Sequence, residues 1–350
     1  MKYYLKEEFL HDVNAKNAGN KARNDVESIV KEEGYHPLVL SVDNWYQMST
    51  LAAQRHKAKA FGQALDQLKQ GDELLIQFPM LHHSFFSTHL VKKAQKRGIK
   101  VYLLIHDLEV FRHANMTSLP LKHRIRMYIQ EASFLKAADG IIAHNPVMKS
   151  VLVDKGIAED KIVSLGIFDY LIPNFQEKTG LTKNQPIIVA GNLAQEKAGY
   201  LYALPAEPAY NLYGVGFDES RALENETYFG SFLPDELPAA LEGGFGLVWD
   251  GDSAGTCSGV FGEYLRYNNS HKASLYLASG FPLVVWKQSA LSHFVLEKGC
   301  GIVVESLHDL KETINNLSDA DYQTLVDNAK RVGQEIRDGH YLKTALKHLA

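Results

Sequence analysis

Asn268-Asn269-Ser270-His271-Lys272-Ala273-Ser274-Leu275-Tyr276-Leu277-Ala278-Ser279-Gly280-Phe281-Pro282-Leu283-Val284-Val285-Trp286 reads as one helix handing over to one strand. Asn and Ser ahead of a helical stretch accept hydrogen bonds from its first free N–H groups and so cap it. The spacing predicts a helix over 271–279, stopped by Gly280, with Pro282 opening an apolar run. Residues 283–286 are continuously apolar and do not alternate. That is the pattern of a strand covered on both faces, as in a parallel sheet.

The same step recurs in both directions along the chain. Apolar runs stand at 3–5, 38–42, 73–78, 99–105, 140–143 and 162–165, then at 187–190, 212–215, 245–249 and 301–304. Helical spacing fills the gaps at 52–68 and 123–138. Near the end, Ser318 offers a cap with Asp321 three residues on, followed by Tyr322, Leu325, Val326, Ala329 and Val332 at helical intervals. Strands alternating with helices read as βαβ units. Residues 173–186 are polar, with two prolines and a glycine, and mark a boundary. The expected fold class is α/β: two Rossmann-like domains facing across a cleft, over 1–175 and 176–325, with C-terminal helices over 326–350.

Bulk properties narrow the function. The 350 residues carry 37 basic and 41 acidic side chains, a formal charge of -4. Nucleic-acid binders usually show a strong basic excess, so no nucleic-acid partner is expected. The only cysteines are Cys257 and Cys300, too few for a disulfide framework. The N-terminus reaches Glu7 and Glu8 before any long apolar stretch, and no window reads as a membrane span. A cytoplasmic protein is expected, with room for work at the inner face of a membrane.

In open parallel sheets ligands sit beyond the carboxyl ends of strands. Gly191-Asn192-Leu193 follows one run, and Lys197 lies close behind; the stretch is either a ligand-facing turn or simply a turn. Asp250-Gly251 follows another, as a sugar- or ribose-binding carboxylate or as a polar loop. Lys272 lies in the first turn of its helix, against the usual charge preference there. An anion meeting both the lysine and the helix start explains the placement; a solvated surface lysine is the alternative. His106, Asp107 and Glu109 follow the run at 99–105. They can seat a general base for an acceptor hydroxyl, or Asp107 can cap a helix beside a structural histidine. Gly19 opens a helix after the first strand. Neither G-x-G-x-x-G nor a Walker motif occurs, which weakens dinucleotide and ATP readings, including a nucleotide-sugar epimerase or dehydrogenase. No metal-binding spacing occurs, and no metal site or resident cofactor is expected.

Gly191-Asn192-Leu193, Phe245-Gly246-Leu247-Val248-Trp249-Asp250-Gly251, Asn268-Asn269-Ser270-His271-Lys272 and Tyr276 to Pro282 together resemble one family. Its members are bacterial glucosyltransferases that extend GlcNAc on serine-rich adhesins, and galactofuranosyltransferases. The resemblance also takes in Asn17-Ala18-Gly19 and His106-Asp107. It implies the GT-B fold, with a UDP-sugar donor held by the C-terminal domain without a metal, and room for homo-oligomers. By that resemblance Lys272 matches a lysine that binds the UDP phosphates, and Lys197 a second basic residue. Tyr228 and Asp250 fall in the nucleotide-side wall, with Asn192, Asn268, Asn269, His271 and Gly19 around the donor. The implied acceptor is a glycan, glycolipid or glycoprotein. Many retaining GT-B enzymes carry a glutamate pair beside the donor lysine; no acid stands between Lys272 and Gly280. A different reading is a non-catalytic subunit of the same shape that binds glycan or protein for a partner transferase.

Overall fold

Each of those apolar runs falls on a strand, and every strand pairing among the described residues is parallel. The computed structural model describes residues 1–8, 18–108 and 121–349, with the backbone alone at 18–19 and 121–128. The first sheet holds β1 (Lys2–Glu8), β2 (His36–Ser41), β3 (Glu73–Phe78), β4 (Lys100–Ile105), β5 (Gly140–Ala143) and β6 (Ile162–Ser164), in the order β2-β1-β3-β4-β5-β6. The second holds β7 (Ile187–Asn192), β8 (Tyr210–Val215), β9 (Glu226–Tyr228), β10 (Phe245–Val248), β11 (Leu283–Trp286) and β12 (Gly301–Val304), in the order β12-β11-β10-β7-β8-β9.

The inner strands are buried almost throughout, from Leu74 to Phe78 on β3 and from Val101 to Ile105 on β4. Burial on both faces is why their sequences lack alternation. Predicted helices appear at Thr50–Leu65, Leu121–Ala137 and Asp319–Arg337. Ser318 caps the last of these: its hydroxyl accepts the Asp321 N–H at 3.0 Å, and Asp321 reaches back to the Ser318 N–H. β9 was not foreseen. Its sequence, Glu-Thr-Tyr, is short, polar and only half-buried at a sheet edge, so it carries no apolar run.

Residues group into two compact units. One contains β1 to β6 and the chain from Leu342 onward. The other runs from Gly166 to Tyr341 and includes the start of the helix Ala18–Glu32, as far as Asp25.

In both sheets the first strand lies inside, so the chain builds outward on one side and then crosses to the other. The crossings leave switch points between β1 and β3 and between β7 and β10. In the second sheet the fork is visible in the register. β10 pairs with β7 only at Phe245↔Ile187 and Gly246↔Ile188, whereas β8 follows β7 as far as Asn192. Tyr276 fills the opening, its hydroxyl accepting the Ala190 N–H at 2.7 Å. Gly246 makes this possible, because a Cβ there would sit 2.2 Å from Tyr276 Cγ.

Candidate functional site

The helix His271–Ala278 starts at this fork. Ser270 caps it through the Lys272 N–H, as its sequence predicts. Lys272 projects from the first turn toward the ends of β7 and β10. Its Nζ donates to Asp250 Oδ1 at 2.7 Å and to the Trp249 carbonyl at 2.8 Å. Both side chains are nearly covered, Lys272 at 14% exposed and Asp250 at 8%. The solvated-lysine reading therefore fails: the anion that meets this cation is a carboxylate of the protein itself. Burial pulls the Lys272 ammonium below its usual pKa; Asp250 opposes that shift and Lys197 adds to it. An ammonium has three N–H donors. Asp250 and Trp249 occupy two of them.

Glycine and backbone bonds close the rest of the fork. Gly191 has φ +127°, a region closed to side chains, and a Cβ there would lie 3.8 Å from Lys272 Cδ. Asn192 is exposed, and its Oδ1 accepts the Ala194 N–H at 2.9 Å and shapes the turn. Lys197 lies 5.5 Å from the Phe261 ring centroid, and its carbonyl accepts the Gly251 N–H at 2.8 Å. That bond ties the turn after β7 to the turn after β10. Gly191, Lys197, Asp250 and Lys272 thus converge.

Asn269 donates from Nδ2 to the Gly166 carbonyl at 2.6 Å. Asn268 Oδ1 is buried with no hydrogen-bond partner among the described residues. His271 stacks on Phe168 with ring centroids 4.5 Å apart, and burial, aided by Lys21, lowers its pKa to about 4. Tyr228 lies on the edge strand β9, its hydroxyl donating to the Gly214 carbonyl at 2.7 Å, with Phe217 5.2 Å away. Gly19 is the second residue of the helix Ala18–Glu32.

In the first unit, His106 and Asp107 follow β4, and the His106 ring nitrogen Nε2 is 2.7 Å from Gln77 Oε1. Glu109 lies outside the described residues.

Sequence reasoning missed one cluster. Lys21 Nζ reaches Asp25 and Asp235, each at 2.8 Å, and the Leu171 carbonyl at 2.7 Å. Burial raises the Asp25 carboxyl to about 6 in spite of Lys21. The i,i+4 spacing of Lys21 and Asp25 was the one available signal.

Two parallel α/β units, each with its own switch point, define the GT-B class of protein. Two family models cover almost the whole chain: the glucosyltransferase 3-like N-terminal domain over residues 2–167 and the glucosyltransferase 3-like C-terminal domain over 187–349. The chain belongs to the glucosyltransferase 3-like family. It is 32% identical to the β-1,6-galactofuranosyltransferase WbbI of Escherichia coli (strain K12), over 97% of both chains. It is 25% identical to glucosyltransferase 3 of Streptococcus gordonii, over 93% of this chain and 92% of that one. Its fold resembles that of Anabaena HepE in complex with UDP-glucose, with a TM-score of 0.56 at 12% identity, covering 99% of this chain and 98% of that one.

Proposed function

We propose that this protein transfers a hexose, galactofuranose or glucose, from a UDP-sugar to a hydroxyl of a glycan or glycoconjugate, with the donor diphosphate held at Lys272. The carrying observation is Lys272 itself, a covered cation in the first turn of a helix at the switch point between β7 and β10. Strand ends at switch points and helix N-termini are where open α/β sheets take phosphates. The third ammonium N–H and the helix start serve the phosphate oxygens, so charge is offset without a metal. Asn268 Oδ1, a buried acceptor without a donor, suits a hydroxyl of the donor. Lys197, Asn192, Asn269, His271, Tyr228 and Gly19 complete the proposed donor surroundings.

Asp107, held beside an anchored His106, is the proposed base. It takes the acceptor hydroxyl proton as the new C–O bond forms and UDP departs with the electrons of the broken bond. The names of the relatives support catalysis over a non-catalytic binding subunit.

Calorimetry with UDP tests the donor site. A charge-assisted hydrogen bond contributes roughly 1.5–3 kcal/mol, so Lys272→Ala is expected to weaken UDP about 10- to 100-fold. Unchanged affinity in a folded variant removes Lys272 from the site. A screen of UDP-sugars with mass-spectrometric detection of the product identifies the hexose.

A further inference from the structure

The helices Thr50–Leu65 and Ser87–Gln95 follow β2 and β3, the strands on either side of β1, and pack side by side. Gln54 Oε1 accepts the Phe85 N–H at 3.0 Å, which sets the start of one helix against the first half of the other. At these starts the apolar side chains Tyr46, Met48, Leu51, Leu81, Phe85 and Phe86 face solvent, Tyr46 at 57% and Leu51 at 52%. Further along, the exposed positions turn basic: Arg55 and Lys59 on one helix, Lys92 and Lys93 on the other.

No aspartate or glutamate stands between Asp43 and Asp66, nor between Glu73 and Asp107, in a chain whose acids outnumber its bases. Three nearby acids are engaged. Asp43 lies 3.0 Å from His56 Nε2, Asp66 accepts from Arg97, and Glu7 accepts the N–H groups of Leu81 and His82.

We propose that this face docks on an anionic lipid bilayer, the apolar tips entering the interface and the bases meeting lipid phosphates. Apolar tips beside lysine and arginine, with acids absent, match what a charged membrane surface binds. A second copy of the chain fits poorly, since self-docking would bring two acid-free basic faces together. A neutral glycan gives no reason for the bases, and Met48, Leu51 and Leu81 offer it no flat ring.

The inference concerns the first unit alone and stands whether or not Lys272 holds a diphosphate. Its test is co-sedimentation of the full chain with phosphatidylcholine vesicles, with and without about one-third phosphatidylglycerol. Binding is expected to the anionic vesicles only, and to weaken as salt rises. Lys92→Glu with Lys93→Glu should cut partitioning about tenfold or more. Phe85→Ser with Phe86→Ser should lose binding even at low salt. Thermal melting should show both variants folded. Binding that ignores lipid charge, absent binding, or folded variants that bind as the parent does would each overturn the proposal. So would a dimer, seen by sedimentation equilibrium, that the phenylalanine variant dissolves.

Discussion

At the switch point of the first sheet, the end of β1 presents Glu7, whose two carboxylate oxygens accept the Leu81 and His82 N–H groups at 3.0 and 2.7 Å. At the switch point of the second, between β7 and β10, the protein places Lys272. The same topological feature is filled by opposite charges. A carboxylate that takes up backbone N–H groups consumes donors an incoming phosphate would need. A lysine there adds a donor and a positive charge. The first switch point holds a carboxylate bonded to the loop after β3; the second holds a lysine paired with Asp250. The difference is in keeping with the proposed placement of the donor diphosphate in the second domain, since the second switch point offers a cation and the first a carboxylate.

The sharpest way to break the comparison is Lys272→Met. It leaves the Asp250 carboxylate buried without its cation, and breaking a buried pair in this way costs about 3–5 kcal/mol. Trp249 and Trp286 lie buried in the second domain and make up two of the chain's 3 tryptophans, so their fluorescence in urea reports mainly on that domain. The double variant Lys272→Met with Asp250→Leu should recover most of the loss. A single variant as stable as the parent would mean that the pair is not covered in solution.

How much of this was legible beforehand follows from the range of each interaction. The strands show because double-sided burial removes alternation, and Ser318 and Lys272 show because capping and dipole rules act within one turn. Asp250 stands out in the sequence as a sugar- or ribose-binding carboxylate or as part of a polar loop. Its pairing with Lys272 depends on where β10 leaves β7, and no local pattern encodes that register. The same holds for Tyr276, whose helical position was plain while its bond to Ala190 required the fork. Asn192 reads as part of either a ligand-facing turn or a plain turn, and the local bond from the Ala194 N–H to its oxygen shapes the turn. Asp235, far in sequence from Lys21, gave no signal at all.

Acid sharpens the comparison next, because each domain carries a described histidine held neutral, His83 in the first and His271 in the second. Burial lowers His83 in the first domain and His271 in the second to about 4, from an ordinary 6.5, with Lys57 and Lys21 as the lesser causes. Between pH 6.5 and about 4 the unfolded chain therefore binds a proton that the folded one refuses. Stability is lost as pH falls through that window, at about 1.4 kcal/mol per pH unit for each histidine. Asp25 acts in the opposite sense: its carboxyl, raised to about 6, holds a proton in the folded state that the unfolded chain releases. The informative quantity is thus the difference between parent and variant. His271→Phe keeps a ring against Phe168 and should flatten the acid slope of the second domain by one proton. His83→Phe, placed against Phe134, should do so for the first. Scanning calorimetry from pH 4 to 6.5 reads both. An unchanged slope in either variant would mean that its histidine protonates freely in the fold.

The smallest effect belongs to the carboxylate at the first switch point. Glu7→Gln keeps the shape and one acceptor oxygen but turns an amide NH2 group toward a backbone N–H. One charge-assisted hydrogen bond is lost and two donors are left facing each other. Because the group is partly open to solvent, water recovers part of the loss, and the net cost is about 1 kcal/mol. Amide hydrogen exchange at Leu81 and His82 gives the direct readout, since one of these two N–H groups should lose protection while those of β4 keep theirs. If Glu7→Gln instead gained affinity for UDP or inorganic phosphate, the first switch point would be an anion seat held shut by its own carboxylate. The two sheets would then differ only in which charge occupies the seat.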